Sequence, residues 1–161
     1  MAGNPRTAPS DGSDLDDDLH ALVEVRLKRV DLRYTGGRRA IVEFLASHGH
    51  PSSISDLAAG VPDVPRSSAY RHLADLQEAG VVRRLAANDE FARFELAEDL
   101  TEHHHHLLCT GCGTVIDVTP TPAFERTVDR MVADLASAQG FEPTSHALDI
   151  MGRCASCVRG A

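Results

Sequence analysis

Two short cysteine pairs limit what the second half of this chain can fold into. Cys109 and Cys112 form one Cys-x-x-Cys pair, and Cys154 and Cys157 form another far downstream. Each pair can bind a metal ion from a tight turn, and four thiolates together suit one tetrahedral Zn(II). Such a site is closed, so it is structural and contributes directly to folding. Two disulfides, two redox pairs or an iron–sulfur cluster with the same ligands are the alternatives.

The expected compartment of the chain bears on that choice. The sequence has no apolar run long enough to span a membrane, and its first residues are acidic, without the apolar stretch of a secretory signal. We therefore expect a cytoplasmic protein that does not associate with membranes. Because the cytosol keeps thiols reduced, the paired cysteines favour metal binding over disulfides.

Four consecutive histidines, His103–His106, directly precede the first cysteine pair. Histidine-rich tracts of this kind typically bind metal, and imidazole suits several transition metals alike. In an extended segment alternate side chains face opposite ways, so the tract can contribute to two different sites. The other candidate ligands, which would have to converge on the tract, are His50, Glu95, Asp117, Glu125 and His146. The remaining histidines, expected on the surface, are His20, His48 and His72.

The segment before the histidines has the periodicity of several helices followed by a hairpin. Apolar residues at three- and four-residue spacings, with capping and breaking residues between them, mark the helices. The predicted elements are helices from Asp18 to about Val30, around 40–48, over Asp56–Ala59 and over Pro65–Ala79, then strands Val81–Leu85 and Phe91–Leu96 joined through Ala86–Glu90. This order is the winged helix-turn-helix pattern.

In a winged helix the last helix before the hairpin enters the major groove of DNA. The exposed residues at the start of that helix are Arg66, Ser67, Ser68, Tyr70 and Arg71. Arginine reads guanine or holds phosphate, serine holds phosphate, and tyrosine packs on a thymine methyl group or binds phosphate. The whole chain has a net charge of -8, but residues 19–90 carry ten Lys/Arg and nine Asp/Glu and are the only segment that is not acidic. A small helical domain that binds a protein is the alternative at this point.

The segment after the hairpin predicts a small α/β unit. Its pattern comprises a polar hinge at Ala97–Glu102, an apolar run at Leu107–Cys109, a strand at Thr114–Val118, an amphipathic helix at Phe124–Ser137 and a last strand at Thr144–Met151. A unit this small is stable only if it is stapled by zinc and paired with a second copy. The predicted α+β chain thus has a disordered acidic tail (1–17), a winged-helix domain (18–96), a hinge (97–102) and a dimerisation and metal-sensing domain (103–161).

These residues together resemble the ferric uptake regulator family, which includes iron, zinc, manganese and peroxide sensors. The matching pieces are 68–73 in the recognition helix, 94–96 in the second wing strand, 103–113 across the histidines and first cysteines, 115–117, 145–146 and 152–154. The resemblance covers about residues 19–158. It implies a dimeric, metal-dependent repressor that binds AT-rich palindromic operators in double-stranded DNA and is not an enzyme. No HExxH or similar catalytic metal motif occurs in the sequence.

The resemblance also implies three metal sites. The four cysteines match a structural zinc site. A regulatory site for Fe(II), Zn(II) or Mn(II), joining the head to the second domain, is matched by His50, Glu95, His104, His106 and Asp117. A further site in the dimerisation domain is matched by His103, His105, Glu125 and His146. Tyr70 and Arg71 match DNA contacts of the recognition helix, and Arg33 matches a basic residue that reaches the minor groove.

The implied function is control of metal homeostasis, in which metal binding favours a closed, DNA-binding form. The choice of signal stays open between iron or zinc uptake and a peroxide- or manganese-responsive role. Asp117 resembles the peroxide and manganese sensors, Glu95 resembles the iron sensors, and His105 resembles the zinc sensors. A zinc-storage or metallochaperone protein is the remoter alternative, which would explain the ligands but not the winged-helix head.

Overall fold

A computed structural model of the chain describes residues 12–85, 92–101 and 103–160. Its helices are α1 (Gly12–Arg29), α2 (Gly36–His48), α3 (Ile54–Gly60), α4 (Arg66–Glu78), α5 (Pro122–Ser137) and α6 (Ala155–Arg159). Its strands are β1 (Val82–Leu85), β2 (Arg93–Leu96), β3 (His105–Cys109), β4 (Val115–Val118) and β5 (Asp149–Gly152), and a single 3-10 turn covers Glu98–Leu100. These elements confirm the predicted α+β class, with the winged-helix order in the first half.

The four N-terminal helices and the hairpin enclose one aliphatic core. Leu27, Ile41 and Leu73, from α1, α2 and α4, are at most 1% exposed. The short helix α3 begins with a reciprocal capping box between Ser53 and Asp56, which satisfies two free backbone N–H groups. Because α4 buries one face in this core, its opposite face and its N-terminal end are presented to solvent.

Three features of the first half differ from expectation or lie outside the described residues. The helix α1 begins at Gly12, so residues 12–17 are helical rather than part of a disordered tail; residues 1–11 lie outside the described residues. The predicted loop Ala86–Glu90 and the residue Phe91 also lie outside them, and β2 is described from Arg93. His20 is not a surface residue: it is 6% exposed, and its Nδ1 lies 2.7 Å from the hydroxyl of Tyr34.

The second half is built on a three-stranded sheet in the order β4-β3-β5. The central strand β3 runs antiparallel to β4 and parallel to β5. It begins at His105, so it takes in two of the histidines as well as the predicted apolar run. The last strand covers only Asp149–Gly152, and 141–148 has no regular structure. The short helix α6 after this strand was not predicted.

The second half has little core of its own. Its buried apolar side chains are Leu108, Cys109 and Ala136, whereas Phe124, Met131 and Leu135 on α5 are 43%, 60% and 70% exposed. Pairing of β5 beside β3 brings the segment after β5 next to the end of β3. The sheet therefore joins the two cysteine pairs, which are distant in sequence. None of the described helices is both long and apolar enough to cross a lipid bilayer.

Candidate metal centres

The strand β3 directs its histidines into two separate places. His105 pairs with Val118 on β4, while His106 lies between Asp117 on β4 and Asp149 on β5. The two imidazoles are buried, at 3% and 0% exposure. Since successive side chains of a strand alternate between faces, the predicted division of the histidine tract is present in the fold.

The four cysteines form the first group, here called the cysteine cluster. The Sγ atoms of Cys109, Cys112, Cys154 and Cys157 all lie within 4.8 Å of one another. All four are free thiols, which argues against the disulfide alternative. The distance between Cys112 Sγ and Cys154 Sγ is 3.7 Å. Ligands around one tetrahedral zinc with Zn–S bonds of about 2.3 Å lie about 3.8 Å apart, so this donor set fits Zn(II).

Backbone geometry prepares the cysteine cluster for thiolates. The amide of Cys154 donates to Cys109 Sγ over 3.2 Å, and this bond, with the amides of Gly111 and Cys112, lowers the pKa of Cys109 to about 6. Hydrogen bonding to Cys112 and the other two sulfurs raises the pKa of Cys157 to about 12. A thiolate at Cys157 beside the other sulfurs therefore needs a cation between them.

The second group, here called the hinge cluster, joins the two halves of the chain. It contains Glu95 from β2, His104 directly before β3 and His106 on β3, and the ligand atoms lie within 4.8 Å of one another. Glu95 Oε2 lies 3.0 Å from His106 Nε2 and 3.4 Å from His104 Nε2. Both imidazoles thus face one carboxylate oxygen, an arrangement in which a divalent cation can replace the shared protons.

The two other residues expected in this site lie at its edge. Asp117 Oδ1 is 3.7 Å from His106 Nε2, slightly farther than the three clustered ligands. His50 is exposed, and its ring contacts His48, but it lines a cavity of about 360 Å³ together with Glu95, His104 and Asp117. The structure therefore brings Asp117 and His50 to the same cavity without placing them in the tight group.

Charges around the hinge cluster favour the ionised forms of its members. Burial alone would raise the pKa of Glu95, but hydrogen bonds from His106 and Arg83 outweigh it and lower the pKa. Burial alone would lower the pKa of His106, but its hydrogen bonds to Glu95 and Asp149 raise it above the ordinary range. The metal-free site is therefore held together by charge-assisted hydrogen bonds.

The third group, here called the Glu125 cluster, lies on the other face of β3. His103, His105, Glu125 and His146 place their ligand atoms within 4.8 Å of one another. The Nε2 atoms of the three histidines lie 3.0–3.3 Å from an oxygen of Glu125, which stands in the first turn of α5. His105 Nε2, His146 Nε2 and Glu125 Oε1 are buried and make no hydrogen bond within the described residues. Buried polar atoms that converge in this way fit a bound cation.

Four charged residues beside these two clusters were not among the predicted ligands. Arg83 and Asp149 contact the hinge cluster, with Asp149 Oδ1 2.9 Å from His106 Nδ1. Glu98 contacts His103 Nδ1, and Asp129 Oδ1 lies 3.5 Å from His146 Nδ1. No local motif marks these residues, because strand pairing positions Arg83 and Asp149, the hinge turn positions Glu98, and α5 brings Asp129 beside His146.

The residues expected to contact DNA lie on the surface of the head. Arg66, Ser67, Tyr70 and Arg71, at the start of α4, are exposed, Tyr70 by 51%, and Ser68 is partly buried. Arg33 is exposed on the loop before α2.

A winged-helix head followed by a small α/β unit with three groups of metal-type ligands is the arrangement of a metal-binding transcription regulator. The sequence model described as the ferric uptake regulator family matches residues 29–151. The chain therefore belongs to the ferric uptake regulator family, whose members are transcription regulators and not enzymes.

Individual relatives agree with this membership. The chain is 30% identical over 135 residues to the peroxide-responsive repressor PerR of Staphylococcus aureus strain Mu50, across 81% of this chain and 86% of the relative. It is 26% identical to the ferric uptake regulator of Vibrio cholerae, with a TM-score of 0.61 over 81% of this chain and 98% of that one. The Helicobacter pylori ferric uptake regulator has the same fold, at 22% identity and a TM-score of 0.66, over 89% and 93% of the two chains.

Proposed function

We propose that this chain is a dimeric transcriptional repressor of metal homeostasis, switched to its DNA-binding form by a divalent metal at the hinge cluster. The observation that carries the proposal is the origin of the three ligands. Glu95 belongs to the wing of the head, whereas His104 and His106 belong to the second half. One ion shared by these side chains stabilises a single arrangement of the two halves.

The switch follows from linkage between metal and DNA. If only the closed arrangement brings the ligands together, metal favours that arrangement, and a duplex that fits it favours metal in return. Changing the closed fraction from 1% to 99% requires about 5.5 kcal/mol of differential affinity, which is within reach of one transition-metal site. The Vibrio cholerae relative shows a structural rearrangement of its DNA-binding domains, which supports a mobile head in this family.

The surface of the head supports double-stranded DNA as the partner. The N-terminal turn of α4 has Arg66, Tyr70 and Arg71 exposed, which the proposal assigns to base edges and phosphates, and the proposal assigns the exposed Arg33 to a neighbouring minor groove. The apolar residues left exposed on α5 support a homodimer, because an apolar face of this kind is usually covered by a second copy. Two heads related by a two-fold axis match an AT-rich palindromic operator.

The donor chemistry assigns different metals to the clusters. Four thiolates make the cysteine cluster a structural Zn(II) site. Nitrogen and oxygen ligands at the hinge cluster suit Fe(II), Mn(II) or Zn(II), and the Glu125 cluster has the same donor types. The proposal keeps the division into a winged-helix domain at 18–96, a hinge at 97–102 and a sensor and dimerisation domain at 103–161, in a cytoplasmic protein.

A peroxide- or manganese-responsive role is the second candidate function. It is favoured by the 30% identity to a peroxide-responsive repressor and by the presence of Asp117 beside His106. In this role His104 and His106 would hold Fe(II), which would reduce peroxide and expose either histidine to oxidation, whereas Mn(II) held there would not. Zinc storage has less support, because it leaves the exposed face of α4 without a role.

The test is DNA binding by chelator-treated protein that retains its cysteine-bound zinc. An AT-rich palindromic duplex and a scrambled duplex are titrated under anaerobic conditions with Fe(II), Mn(II) and Zn(II) in turn. We expect one metal to switch on binding to the palindrome at the lowest free concentration. If none of them promotes binding to any duplex in a broad pool, the repressor proposal fails and storage becomes the better reading.

Substitutions test whether metal-dependent DNA binding requires the histidines of the hinge cluster. Changing both His104 and His106 to alanine should abolish metal-dependent DNA binding and leave a folded dimer, while Glu142→Ala, at an exposed residue outside the clusters, should leave metal-dependent DNA binding unchanged. Metal-dependent binding by the double variant would contradict the assignment. Treating the Fe(II) and Mn(II) forms with peroxide then distinguishes the candidates: a peroxide sensor loses DNA binding only with iron and gains one oxygen atom on His104 or His106.

A further inference from the structure

The two ring nitrogens of His106 face two different carboxylates. Nε2 lies 3.0 Å from Glu95 Oε2, and Nδ1 lies 2.9 Å from Asp149 Oδ1. Because a carboxylate accepts hydrogen bonds, each of these nitrogens can donate to the carboxylate it faces, and a metal beside Glu95 would replace the hydrogen on Nε2 and leave on Nδ1 the hydrogen that Asp149 accepts. In a neutral imidazole this leaves the lone pair on Nε2. Asp149 thus selects the tautomer in which His106 can donate to a metal on the side of Glu95.

Arg83 holds the other ligand, Glu95, through the carboxylate oxygen that does not face the imidazoles. It lies on β1 directly opposite Glu95, and its Nε and Nη2 atoms are 2.9 Å and 2.8 Å from Glu95 Oε1. The same Nη2 atom is 3.1 Å from His106 Nδ1 and 3.6 Å from Asp149 Oδ1, so the guanidinium also contacts the ring nitrogen that faces Asp149. Arg83 therefore engages one oxygen of Glu95 and leaves the other, Oε2, directed at the imidazoles. Its positive charge also lies between two carboxylates that would otherwise repel each other.

We propose that Asp149 and Arg83 are positioning residues that set the metal affinity of the hinge cluster. Asp149 does so by holding the tautomer of His106, and Arg83 by holding the carboxylate of Glu95. The inference rests on the proposed function, because it assumes that His104, His106 and Glu95 bind the regulatory metal. It goes further in that neither outer residue is a ligand, and one comes from the head while the other comes from the last strand of the sheet.

The expected effect is large because metal-bound histidines depend on the partner of their second nitrogen. Loss of such a partner typically weakens metal binding about 10- to 100-fold. Asp149 reaches His106 through the parallel pairing of β5 with β3, in which the two residues are opposite each other. The cysteine cluster closes the same pair of strands, with Cys109 three residues after His106 on β3 and Cys154 five residues after Asp149, just beyond β5. The cysteine cluster and the hydrogen bond that sets the tautomer of His106 therefore depend on the same pairing of β3 with β5.

Co(II) is a suitable probe, because its visible d–d bands report ligand type and geometry. All proteins compared carry His103→Ala and His146→Ala, which remove two ligands of the Glu125 cluster, and keep zinc in the cysteine cluster. Co(II) is titrated anaerobically against a competing chelator. Bands that disappear when His104 and His106 are also changed to alanine belong to the hinge cluster.

Asp149 and Arg83 are then each replaced by two different residues in separate variants. Asp149→Ala should weaken Co(II) binding about 10- to 100-fold, whereas Asp149→Asn, whose amide oxygen still accepts from Nδ1, should recover most of the affinity. Arg83→Ala should also weaken binding and shift the bands, and Arg83→Lys should restore the affinity only in part, because a single ammonium group cannot reproduce the guanidinium fork. Glu142→Ala, which removes an exposed carboxylate of the second half, is the matched control and should change nothing.

The outcomes separate this inference from the proposed function. If Asp149→Ala and Arg83→Ala kept the Co(II) affinity and bands of the His103→Ala, His146→Ala parent, the positioning role would be overturned while the metal site stayed intact. Equal losses in Asp149→Asn and Asp149→Ala would also overturn the tautomer argument. Absence of any Co(II) band that depends on His104 and His106 would overturn the proposed function and this inference together. Unchanged zinc content and thermal midpoint in each variant show that the losses do not come from unfolding.

Discussion

A buried ion pair joins the loop that carries Arg33 to the recognition helix. Arg38, in the first turn of α2, is 9% exposed, and its guanidinium contacts the carboxylate of Asp75 on α4. The other arm of the guanidinium donates to the backbone carbonyl of Arg33. Two regions proposed to touch DNA thus share one charged group. Removing Asp75 should therefore change both the stability of the head and its binding to DNA.

The size of the stability effect can be worked out from this burial. Asp75→Ala leaves the Arg38 guanidinium in the head with the Arg33 carbonyl as its remaining partner among the contacts described. Breaking a fully buried ion pair costs about 3–5 kcal/mol, because the surviving charge is left without compensation. The side chains of Arg38 and Asp75 are 11% and 20% exposed, so water reduces the cost, and we expect about 2–4 kcal/mol. For a domain of this size that loss lowers the Tm by about 8–32 °C.

Thermal unfolding of the metal-loaded protein, followed by far-UV circular dichroism, measures this loss. Asp63→Ala, which removes an exposed carboxylate of the head, is the control and should stay within about 0.5 kcal/mol of the wild type. The double variant Arg38→Met with Asp75→Leu should recover most of the stability, since no charge is left buried. Asp75→Ala should also weaken operator binding with unchanged metal affinity. A cost below about 1 kcal/mol would refute the uncompensated-charge argument.

Further predictions concern the clusters and the dimer. Cys112→Ser should lose stoichiometric zinc by elemental analysis and unfold or become a monomer; a stable, zinc-free dimer would contradict a structural site. Gly113 has a φ of +70°, so Gly113→Ala should cost about 1 kcal/mol and weaken zinc retention in a chelator competition. Met131 is 60% exposed, and Met131→Glu should shift the protein towards monomer in light scattering if α5 pairs with a second copy. In metal-free protein Glu95, with its pKa below 4.5, stabilises the closed contact above pH 4.5 and loses this effect as the pH falls through the lowered pKa. His106, with its pKa above 6.5, stabilises the contact below pH 6.5 and loses this effect as the pH rises through the raised pKa, so resistance of the hinge to proteolysis should be greatest between pH 4.5 and 6.5.

Much of the fold could be predicted because its signals are local. The periodicity of Ala69, Leu73 and Leu76 marks α4, and these residues are buried as expected. Alternation along an extended chain is equally local, so the opposite directions of His105 and His106 follow from their spacing alone. The spacing within each cysteine pair is also a local signal, and it indicated that the two pairs would meet.

The remaining features depend on contacts between distant parts of the chain. The first turn and a half of α1 has the Asp- and Ser-rich composition of a tail, and its sequence contains no apolar repeat that predicts a helix from Gly12. The segment at Thr144–Met151 alternates like a strand, yet only Asp149 and its successors pair with β3. Arg83 and Asp149 approach His106 through two different strand pairings, and no single-sequence pattern gives the register of either.

One strand connects all three clusters, and this arrangement has a consequence for how they act. The strand β3 carries His105 on one face and His106 on the other, and it ends at Cys109. The second half has few buried apolar side chains, so ligand contacts rather than a core fix the position of β3. An ion at any one cluster removes freedom from the strand that the other two clusters share. Zinc in the cysteine cluster should therefore lower the entropy that is lost when a metal binds the hinge cluster. The two metal sites are then positively coupled, because both immobilise the same strand.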